Sequence, residues 1–425
     1  MKTLIIGSGG REHAIALKLY EENNQNEIFI SPGNGGTHQV GTNVSLKTHQ
    51  EIVDFCKLKN IELVVIGPEQ PLVDGLADFL RQNSILVFGP NKNAARIEGD
   101  KTFAKNLMKE YNIPTADFKS FSKDEFDEAV KYLQQSNFPI VIKASGLAAG
   151  KGVIIAQTFD EAKNAIDEIM NDAIFGEAGN NVVIEEFLEG EELSVFVVTD
   201  GEDYVILPPS QDHKRIGEGD TGKNTGGMGA YSPLNFVNAE LISEIEQNII
   251  IPTLKGLSDK KSKFNGCLYC GLIRTKDGIK VIEFNCRFGD PEIQVVLQLL
   301  DKSFYQLLKT TAEGQTDENA VKYNGGSAIC VVAASGGYPD SYKKGYEITG
   351  LSENSEEIKI IHAGTILSKN DGKINLLTNG GRVLNIVAVS KCNDLTICKK
   401  RAYKVLSKVD FNNIYFRKDI GIKGT

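Results

Sequence analysis

The chain has 425 residues, of which 41 % are hydrophobic and 24 % are charged, and its net charge is −9. These values are typical of globular proteins, so they exclude a disordered or fibrous chain, and the length favours two to four domains. The negative charge argues against a nucleic-acid-binding surface, and no apolar run approaches the about 18 residues that span a membrane. Because the N-terminus also lacks the pattern of a signal peptide, we expect a cytoplasmic protein with no nucleic-acid or membrane partner.

The seven cysteines are scattered along the chain, which is unlike a disulfide framework and favours reduced thiols. Cys267 and Cys270 form a C-x-x-C pair, but they lie in an apolar, strand-like run where a separation of three residues directs them to opposite faces. The pattern therefore disfavours a zinc or redox site there.

The first hundred residues alternate short β-rich runs with helical patterns, which is typical of an open parallel sheet covered by helices. Four of the predicted strands end in glycine turns, at residues 7–10, 31–36, 67–69 and 89–90. The carboxyl ends of such strands line the ligand crevice of open α/β sheets. We therefore expect binding residues in these turns.

A single predicted helix at residues 93–111, ended by Pro114, leads into a small α+β module at about residues 118–187. A mixed region then extends to a polar linker at residues 314–319, and the tail alternates strands with glycine turns before one late helix. The predicted fold class is multidomain, α/β and α+β, with an open parallel α/β domain at the N-terminus and a mixed α+β domain at the C-terminus. The predicted domains cover residues 1–105, 106–313 and 322–425.

The first glycine turn, G-S-G-G-R-E-H at residues 7–13, is similar to the start of a dinucleotide-binding fingerprint but has Glu12 where the third glycine is needed. The second strand also ends at Ser31 and Pro32 and not at an acidic residue, so NAD binding is disfavoured. A glycine turn that opens a helix still offers free N–H groups to a phosphate. The alternative is an ordinary strand-to-helix turn.

A glycine-rich loop at residues 143–152 joins two apolar strands and carries Lys143 and Lys151 near its ends. The loop is not a Walker A motif, but its small residues allow the backbone to close over phosphates while the two ammonium groups neutralise their charge. The alternative is a plain β-hairpin turn.

A strand end rich in carboxylates follows at residues 182–194. A segment of this kind can present backbone groups to an adenine and an acid to ribose hydroxyls. The alternative is an acidic turn that is only solvated.

The strand at residues 280–288 carries Glu283, Asn285 and Arg287, which a period of two places on one face. Glutamate and asparagine oxygens are ligands that Mg²⁺ takes alongside nucleotide phosphates, and Arg287 can fork onto a carboxylate or phosphoryl oxygen. The alternative is a sheet with one wet face and a surface ion pair.

A long loop at residues 210–231 is rich in glycine and in side-chain hydrogen-bond donors. Loops of this kind are either mobile linkers or substrate clamps, and the concentration of Asp, His, Lys and Arg favours a clamp. His213 in this loop is as well explained by a hydrogen-bonded scaffold role as by a catalytic one.

Together these segments resemble the ATP-grasp superfamily and, more narrowly, the phosphoribosylamine-glycine ligase family, nearly from end to end. The motifs that carry the resemblance are the first glycine turn, P-G-N-x-G at residues 32–36, G-P-E at 67–69, the loop at 143–152, Q-D-H-K-R at 211–215, N-T-G-G-M-G-A-Y-S-P at 224–233 and E-F-N-C-R-F-G-D-P-E at 283–292. The chain departs from the family at Ser145, where Asp is usual, and at Lys223, where Pro is usual. Both departures lie in loops and bear on loop motion more than on chemistry.

The resemblance implies a reaction in de novo purine biosynthesis in which ATP, glycine and 5-phosphoribosylamine give glycinamide ribonucleotide, ADP and phosphate through glycyl phosphate. It also implies a central ATP-grasp fold in which residues 118–187 form a small mobile lid over the nucleotide, next to an N-terminal substrate domain. Glu283 and Asn285 are then the expected ligands of Mg²⁺ or Mn²⁺, and Lys143, Asp212 and Arg287 the expected catalytic residues.

The resemblance further implies two larger sets of contacts. The expected nucleotide contacts are Lys105, Lys143, Ser145, Gly146, Lys151, Gly152, Glu185, Glu186, Phe187, Leu188 and Glu192. The expected substrate contacts are Gly9, Gly10, Arg11, Glu12, Asn34, Gly67, Pro68, Glu69, Asp212, Lys214, Asn224, Thr225, Gly226, Gly227, Met228, Arg287, Asp290 and Glu292.

Two alternatives stay open at this point. The chain could be another ATP-grasp enzyme that acts on a ribonucleotide, such as a carboxylase or a formate-using transformylase, or it could be a nucleotide sensor without turnover. The expected partners are the small-molecule substrates ATP, glycine and 5-phosphoribosylamine, and the expected assembly is a monomer or a weak homodimer.

Overall fold

The computed structural model describes residues 1–148, 152–172, 174–370 and 372–425, and its N-terminal part is a five-stranded parallel sheet with helices on both faces. Its elements are β1 (Lys2–Gly7), α1 (Gly10–Glu22), β2 (Glu27–Pro32), β3 (Thr42–Asn43), α2 (His49–Lys59), β4 (Leu63–Ile66), α3 (Glu69–Val73), α4 (Leu76–Gln82) and β5 (Val87–Phe88). The strand order is β3-β2-β1-β4-β5. Because all strands run in one direction, the glycine turns meet at one edge of the sheet.

Two helices follow, α5 (Lys92–Gly99) and α6 (Lys101–Glu110), where the sequence predicted a single helix at residues 93–111. That prediction is wrong because Asp100 adopts an extended backbone and its carboxylate accepts the Phe103 N–H at 3.0 Å, which starts a new helix. The junction at residues 98–102 lies beside the candidate site described below.

The predicted lid is a four-stranded antiparallel sheet with two helices packed on it. Its elements are β6 (Phe118–Ser122), α7 (Phe126–Gln134), β7 (Ile140–Ala144), β8 (Val153–Ala156), α8 (Phe159–Met170) and β9 (Asn181–Glu186), with the strand order β6-β9-β7-β8. The apolar sides of α7 and α8 form a hydrophobic core with the sheet that is separate from the two larger cores. The lid is therefore a self-contained unit in its packing.

The middle of the chain forms a second antiparallel sheet with the order β11-β10-β16-β17. The elements of this region are β10 (Glu191–Thr199), β11 (Tyr204–Ile206), β12 (Gln211–Asp212), β13 (Arg215–Gly217), β14 (Thr221–Asn224), β15 (Gly229–Ser232), α9 (Ala239–Ile245), α10 (Ile251–Asp259), β16 (Gly266–Thr275), β17 (Gly278–Asn285), α11 (Glu292–Val296), β18 (Leu300–Lys302) and α12 (Phe304–Glu313). A π-helical turn, Glu246–Ile250, joins α9 to α10. Strand β17 is the predicted metal-ligand strand.

The C-terminal region is built on a sheet that also takes strands from the middle of the chain. Its own elements are β19 (Val321–Tyr323), β20 (Ser327–Ser335), β21 (Ile358–His362), β22 (Thr365–Asn370), β23 (Lys373–Thr378), β24 (Arg382–Ser390), α13 (Leu395–Leu406) and β25 (Ile414–Tyr415). The sheet order is β12-β15-β20-β24-β21, with β25 paired to β20. The predicted boundary between residues 313 and 322 therefore does not separate the sheets, because β12 and β15 belong to this one.

No helix within the described ranges is long and apolar enough to cross a membrane.

Candidate active site

Strand β17 brings Glu283 among positive charges from three other segments. Burial opposes ionisation of the Glu283 carboxyl, but the charges of Lys214, Lys143 and Lys101, together with Arg287, outweigh burial and hold its pKa below the ordinary value. The carboxylate is therefore ionised at neutral pH. Lys101 was not among the residues that the sequence singled out.

Asn285 is the last residue of β17. The amide orientation that satisfies both of its polar atoms has Nδ2 donating to the Phe284 carbonyl and to Glu98 Oε1, each at 3.1 Å. In this orientation Oδ1 points away from Glu98 and is available as a ligand.

The donor set of β17 fits a nucleotide-bound divalent cation. Glu283 supplies a carboxylate and Asn285 an amide oxygen, and no group of three or more His, Cys, Asp or Glu side chains forms a metal cluster in the part of the chain that the structure describes. Mg²⁺ is commonly bound through one or two protein oxygens, with water and phosphate oxygens as its other ligands. These two residues are therefore compatible with a cation that also binds nucleotide phosphates.

Two lysines converge on one buried carboxylate behind β17. Glu185 Oε2 lies 3.0 Å from Lys143 Nζ and 2.9 Å from Lys105 Nζ, and all three side chains are at most 5 % exposed. Lys143 also donates to the Ile282 carbonyl at 3.1 Å. Burial lowers the pKa of Lys105 to about 8, with Glu185 opposing this and Lys143 adding to it. Glu185, predicted as a nucleotide contact, acts here as the counter-ion of both lysines.

The glycine-rich loop of the lid is tied to the α5–α6 junction. The Lys101 N–H donates to the Ser145 carbonyl at 2.9 Å, and Lys101 Nζ donates to the Gly146 carbonyl at 3.1 Å. Ser145 Oγ accepts the Thr102 N–H at 3.0 Å and donates to Asp100 Oδ1 at 3.1 Å. Ser145, which replaces the family's usual Asp, therefore still bonds to the junction.

Two other residues were predicted in this loop. Lys151 lies outside the described residues. A Cβ on Gly152 would come within 2.6 Å of the Ala148 Cβ, so the loop is closely packed at that point.

The segment after β9 carries the remaining predicted nucleotide contacts. Glu186 is exposed, and Phe187 and Leu188 are half-buried. Glu192 pairs with Lys214 at 2.8 Å, and although burial alone would lower the pKa of Lys214, the charge of Glu192 and the neighbouring Tyr269 raise it well above its ordinary value. This segment borders the lysine cluster, and its contact with an adenine stays a prediction.

A second group of carboxylates lies on β12 and at the start of α11. Asp212 Oδ1 is buried and has no partner among the described residues, and burial followed by the charge of Glu292 raises its pKa well above the ordinary value. Glu292 accepts a hydrogen bond from Ser194 Oγ at 3.1 Å, and Ser194 Oγ lies 2.9 Å from the Tyr269 hydroxyl. The buried Glu292 and the buried Oδ1 of the half-buried Asp212 need a cationic or hydrogen-donating partner.

The loop at residues 224–228 closes over this pair through its backbone. Gly227 has a φ of +106°, and a Cβ there would lie 2.7 Å from Asp212 Oδ1 and 2.4 Å from Pro291 Cδ. Thr225 Oγ1 donates to the Lys214 carbonyl at 2.9 Å, whereas Met228 is fully buried in the large hydrophobic core. Of the five predicted contacts, Asn224, Thr225, Gly226, Gly227 and Met228, the last can therefore reach a ligand only through its backbone.

Arg287 lies two residues beyond the end of β17 and bridges two domains. Its Nη2 is 2.9 Å from Glu98 Oε1, its Nε is 3.2 Å from Glu69 Oε2, and its Nη1 donates to the Phe288 carbonyl at 3.3 Å. Burial opposes ionisation of Glu69, but Arg287 and then Arg11 lower its pKa below the ordinary value. The guanidinium is thus held by two carboxylates, which makes it a positioning group in this structure.

The predicted side chains of the first glycine turn are bonded to one another. Glu12 Oε2 accepts the Gly9 N–H at 2.6 Å, and Glu12 Oε1 accepts from Arg11 Nε at 2.7 Å. Glu12 also fills the space beside Gly67, where a Cβ would lie 2.1 Å from its Oε1. Pro68 precedes α3 as its N-cap. What this turn offers a ligand is therefore mostly backbone.

Asn34 in the second glycine turn is a scaffold residue. Its Nδ2 donates to the Ser8 and His362 carbonyls, each at 2.9 Å, and its Oδ1 accepts the Gly36 N–H at 2.9 Å and the Thr37 N–H at 3.2 Å. These bonds join the N-terminal sheet to the C-terminal region.

Residues from the C-terminal region and α11 face the first glycine turn, and the sequence did not point to them. A Cβ on Gly10 would lie 2.5 Å from Asn385 Nδ2, 2.8 Å from Gln294 Nε2 and 3.4 Å from Asp290 Oδ1. The side-chain oxygens of Asn385 and Gln294 are buried and have no partner among the described residues. Arg382 holds Asp290 through its carboxylate at 3.1 Å and its carbonyl at 2.6 Å. Only their convergence in space marks these residues as candidates.

This fold and this site define an ATP-grasp enzyme. Three family models match in chain order: the N domain of phosphoribosylglycinamide synthetase at residues 1–98, its ATP-grasp (A) domain at 99–293 and its C domain at 328–423. The chain belongs to the phosphoribosylamine–glycine ligase family. It is an ADP-forming ligase that joins glycine to 5-phosphoribosylamine in purine biosynthesis, and the predicted family, fold class and reaction are confirmed.

Relatives support this assignment over the whole chain. The chain is 43 % identical to phosphoribosylamine–glycine ligase of Caldanaerobacter subterraneus, covering 99 % of both chains, and 44 % identical to that of Halalkalibacterium halodurans, covering 100 % of this chain and 97 % of the relative. It is also 44 % identical to the trifunctional purine biosynthetic protein adenosine-3 of Gallus gallus, with 99 % of this chain covered, but it spans only 42 % of the length of that protein.

Solved structures agree with the fold. The phosphoribosylamine–glycine ligase of Thermotoga maritima superposes with a TM-score of 0.85 at 36 % identity, covering 99 % of this chain and 100 % of the other. A biotin carboxylase from Campylobacter jejuni, solved as a beta-gamma-ATP complex, reaches a TM-score of 0.74 at 13 % identity over 98 % and 93 % of the two chains, which shows a shared fold alone.

Proposed function

We propose that glycine is activated as glycyl phosphate and transferred to 5-phosphoribosylamine in the cleft between β17, the lid and the first glycine turn. The observation that carries this proposal is the ionised Glu283 among Lys101, Lys143 and Lys214, with Asn285 two residues further on. A single carboxylate can hold a metal ion whose other ligands are phosphate oxygens. The surrounding lysines can neutralise the remaining phosphate charge.

In the first step a carboxylate oxygen of glycine attacks the γ-phosphorus of ATP, and ADP leaves. This transfer depends on positioning and on neutralising charge, and it needs no protein nucleophile. Lys143, Lys105 and Lys101 balance the phosphate charge, and the bond from Lys143 to the Ile282 carbonyl holds its ammonium against β17. A divalent cation held by Glu283 and Asn285 would withdraw electron density from the phosphate oxygens.

In the second step the amine of phosphoribosylamine attacks the acyl carbon of glycyl phosphate, the bond from that carbon to the phosphate oxygen breaks, and the leaving phosphate takes up the proton that the amine loses. Asp212 and Glu292 would hold the ammonium of glycine, because Glu292 is a buried carboxylate and Asp212 Oδ1 is buried and unpartnered among the described residues. The N-terminus of α1 at Gly10 suits the sugar phosphate, whereas the Gly9 N–H is already bonded to Glu12. The lid would exclude water, which otherwise hydrolyses the acyl phosphate.

The finer assignments belong to the same proposal. We propose Mg²⁺ or Mn²⁺ as the cation, a monomer or weak homodimer as the assembly, the cytoplasm as the compartment and the predicted domain boundaries. The direct contact of Arg287 with glycine stays a prediction, since its N–H groups bond to Glu69, Glu98 and Phe288.

The test is ADP formation with freshly prepared phosphoribosylamine. ADP should form only when glycine is present, and glycinamide ribonucleotide should appear in equal amount. Equal ADP formation with bicarbonate or formate in place of glycine would contradict the proposed substrate. The site assignment is tested separately by a nucleotide-bound crystal structure, in which Glu283 and Asn285 turned away from the triphosphate would remove it.

A further inference from the structure

Glu98 lies in the last turn of α5, and nothing in the proposed reaction uses it. Its side chain is 7 % exposed, and it belongs to the α5–α6 junction that also bonds to the loop of the lid. A buried carboxylate at the end of a helix is costly unless donors surround it, so its partners indicate its role.

The partners of Glu98 are three consecutive residues at the end of β17. Its Oε2 accepts the Cys286 N–H at 2.8 Å, and its Oε1 lies 2.9 Å from Arg287 Nη2. In the orientation of the Asn285 amide that satisfies its polar atoms, the same Oε1 accepts from Asn285 Nδ2 at 3.1 Å. One carboxylate thus fixes the backbone, the amide and the guanidinium that follow Glu283.

We infer that Glu98 is a positioning residue that aims the Asn285 amide oxygen at the cation, an inference that rests on the proposed metal site. An amide can present either its oxygen or its nitrogen to one side, and the two differ little in shape. A carboxylate accepts hydrogen bonds but donates none, so Glu98 selects the orientation in which Nδ2 faces it and Oδ1 faces away. Partners that orient metal ligands typically change metal affinity about 10- to 100-fold when they are removed.

The replacement Glu98→Gln tests this selection. The new amide nitrogen faces either the Cys286 N–H or the side of Arg287 and Asn285, so the native set of three accepted hydrogen bonds is lost and the Asn285 amide is no longer held with Oδ1 towards the cation. The Mg²⁺ concentration for half-maximal ADP formation should rise about tenfold. Binding of Mn²⁺ in the presence of ADP, followed by electron paramagnetic resonance of free Mn²⁺, should weaken by the same factor without any turnover.

A second replacement, Asn285→Asp, should change the affinity for Mn²⁺ in opposite directions in two backgrounds, a result that loss of packing alone would not produce. Asn285→Asp in the native background sets two carboxylates against each other and should weaken Mn²⁺ binding. In the Glu98→Gln background the same replacement should strengthen it, because the introduced carboxylate can accept from the new amide with one oxygen and keep the other for the cation. An effect of equal sign in both backgrounds would overturn the inference.

The matched control is Glu22→Gln, since Glu22 is another carboxylate that accepts backbone N–H groups, from Phe304 at 2.7 Å and Tyr305 at 3.2 Å, away from the cleft. It should leave the metal requirement within twofold of the native value. If Glu98→Gln folds poorly, Glu98→Asp retains the charge but shortens the side chain, and it should raise the metal requirement in the same direction. A metal requirement within twofold of native in every folded Glu98 variant would overturn the inference.

Glu283→Gln separates failure of this inference from failure of the proposed function. Loss of Mn²⁺ binding in Glu283→Gln with native binding in the Glu98 variants would remove only the role of Glu98. Native binding in Glu283→Gln would remove the metal site itself, and the inference with it.

Discussion

The two ends of the cleft are built in different ways. At β17, the charges of Lys101, Lys143, Lys214 and Arg287 act on Glu283, and Asn285 follows two residues further on. At the first glycine turn, Glu12 and Arg11 bond to each other, so the turn presents chiefly N–H groups and the positive end of α1. The phosphoryl-transfer end thus relies on charged side chains, and the sugar-phosphate end relies on backbone.

This difference changes what a mutation should do at each end. Removing a side chain at β17 should lower kcat, because it takes away a ligand or a charge that acts in the transition state. Removing a side chain at the glycine turns should first remove stability, because those side chains hold the backbone in place. The four predictions below test this contrast.

The largest effect is expected at the phosphoryl end. Glu283→Gln should lower kcat for glycine-dependent ADP formation roughly 10³-fold, because a neutral amide holds the cation poorly and the transition-state charge is no longer offset. The thermal unfolding midpoint should stay close to native. The control is Glu202→Gln, which removes a surface pair with Lys263 at 2.8 Å and should leave kcat unchanged. A native kcat in Glu283→Gln would contradict the proposed role of side chains at β17 in phosphoryl transfer.

At the other end, Asn34→Ala should cost about 3 kcal/mol of unfolding free energy, because it leaves several buried backbone groups without their partner. Urea denaturation measures this cost. The sequence-based prediction, a direct substrate contact, would instead give native stability and a raised KM for phosphoribosylamine. That outcome would show that side chains act on the substrate at this end as well.

Acid should weaken the packing of the first two glycine turns, at residues 7–10 and 31–36, against the C-terminal region. Burial, together with the charge of His38, lowers the pKa of His362 to about 4, so the folded state favours the neutral imidazole. Its stabilising contribution is complete above pH 6.5 and is lost as the pH falls towards 4, about 3 kcal/mol in all. His362→Asn should therefore show a smaller loss of unfolding free energy over this range than the native chain. Equal losses would exclude His362 as the titrating group, and His49→Asn serves as a control away from this packing.

The smallest effect is expected from crowding the backbone. Gly10→Ala would place a Cβ 2.5 Å from Asn385 Nδ2, and the side chains facing the turn would have to shift. We expect KM for phosphoribosylamine to rise about tenfold with kcat for bound substrate retained. Gly314→Ala is the control, because it strains a backbone with a φ of +79° at the end of α12 without any clash of the new Cβ. A drop in kcat with unchanged KM in Gly10→Ala would place the phosphoryl chemistry at this turn.

The sequence was most informative where chemistry and local pattern coincide. The period of two along β17 predicted that Glu283 and Asn285 share a face, and the glycine turns predicted the crevice edge of the parallel sheet. Both follow from rules that act over a few residues.

What the sequence did not reveal depends on contacts between distant segments. Glu98 and Lys101 went unnoticed because residues 93–111 were predicted as one helix, so no break in the chain pointed to them, and Lys105 in the same stretch was expected only from the family resemblance. Arg382 and Asn385 meet Asp290 and Gly10 only where the C-terminal region packs against the first glycine turn, whereas Gln294 bonds to Asp290 locally, four residues away. Motifs likewise did not distinguish ligand from support, since Glu12, Asn34 and Glu185 all stand in motifs but bond to protein atoms.

Strands β12 and β15 come from the middle of the chain but belong to the C-terminal sheet, and this pairing determines what cutting the chain should do. A protease cut between residues 313 and 322 would leave these two strands in a fragment that lacks β20, so the edge of β15 would lose its hydrogen-bonding neighbour. Asp212, on β12, would then be carried by an unsupported ribbon. The nicked halves should therefore stay associated, and separating them should abolish ligation even though strand β17, with the proposed metal ligands, is intact in the larger piece.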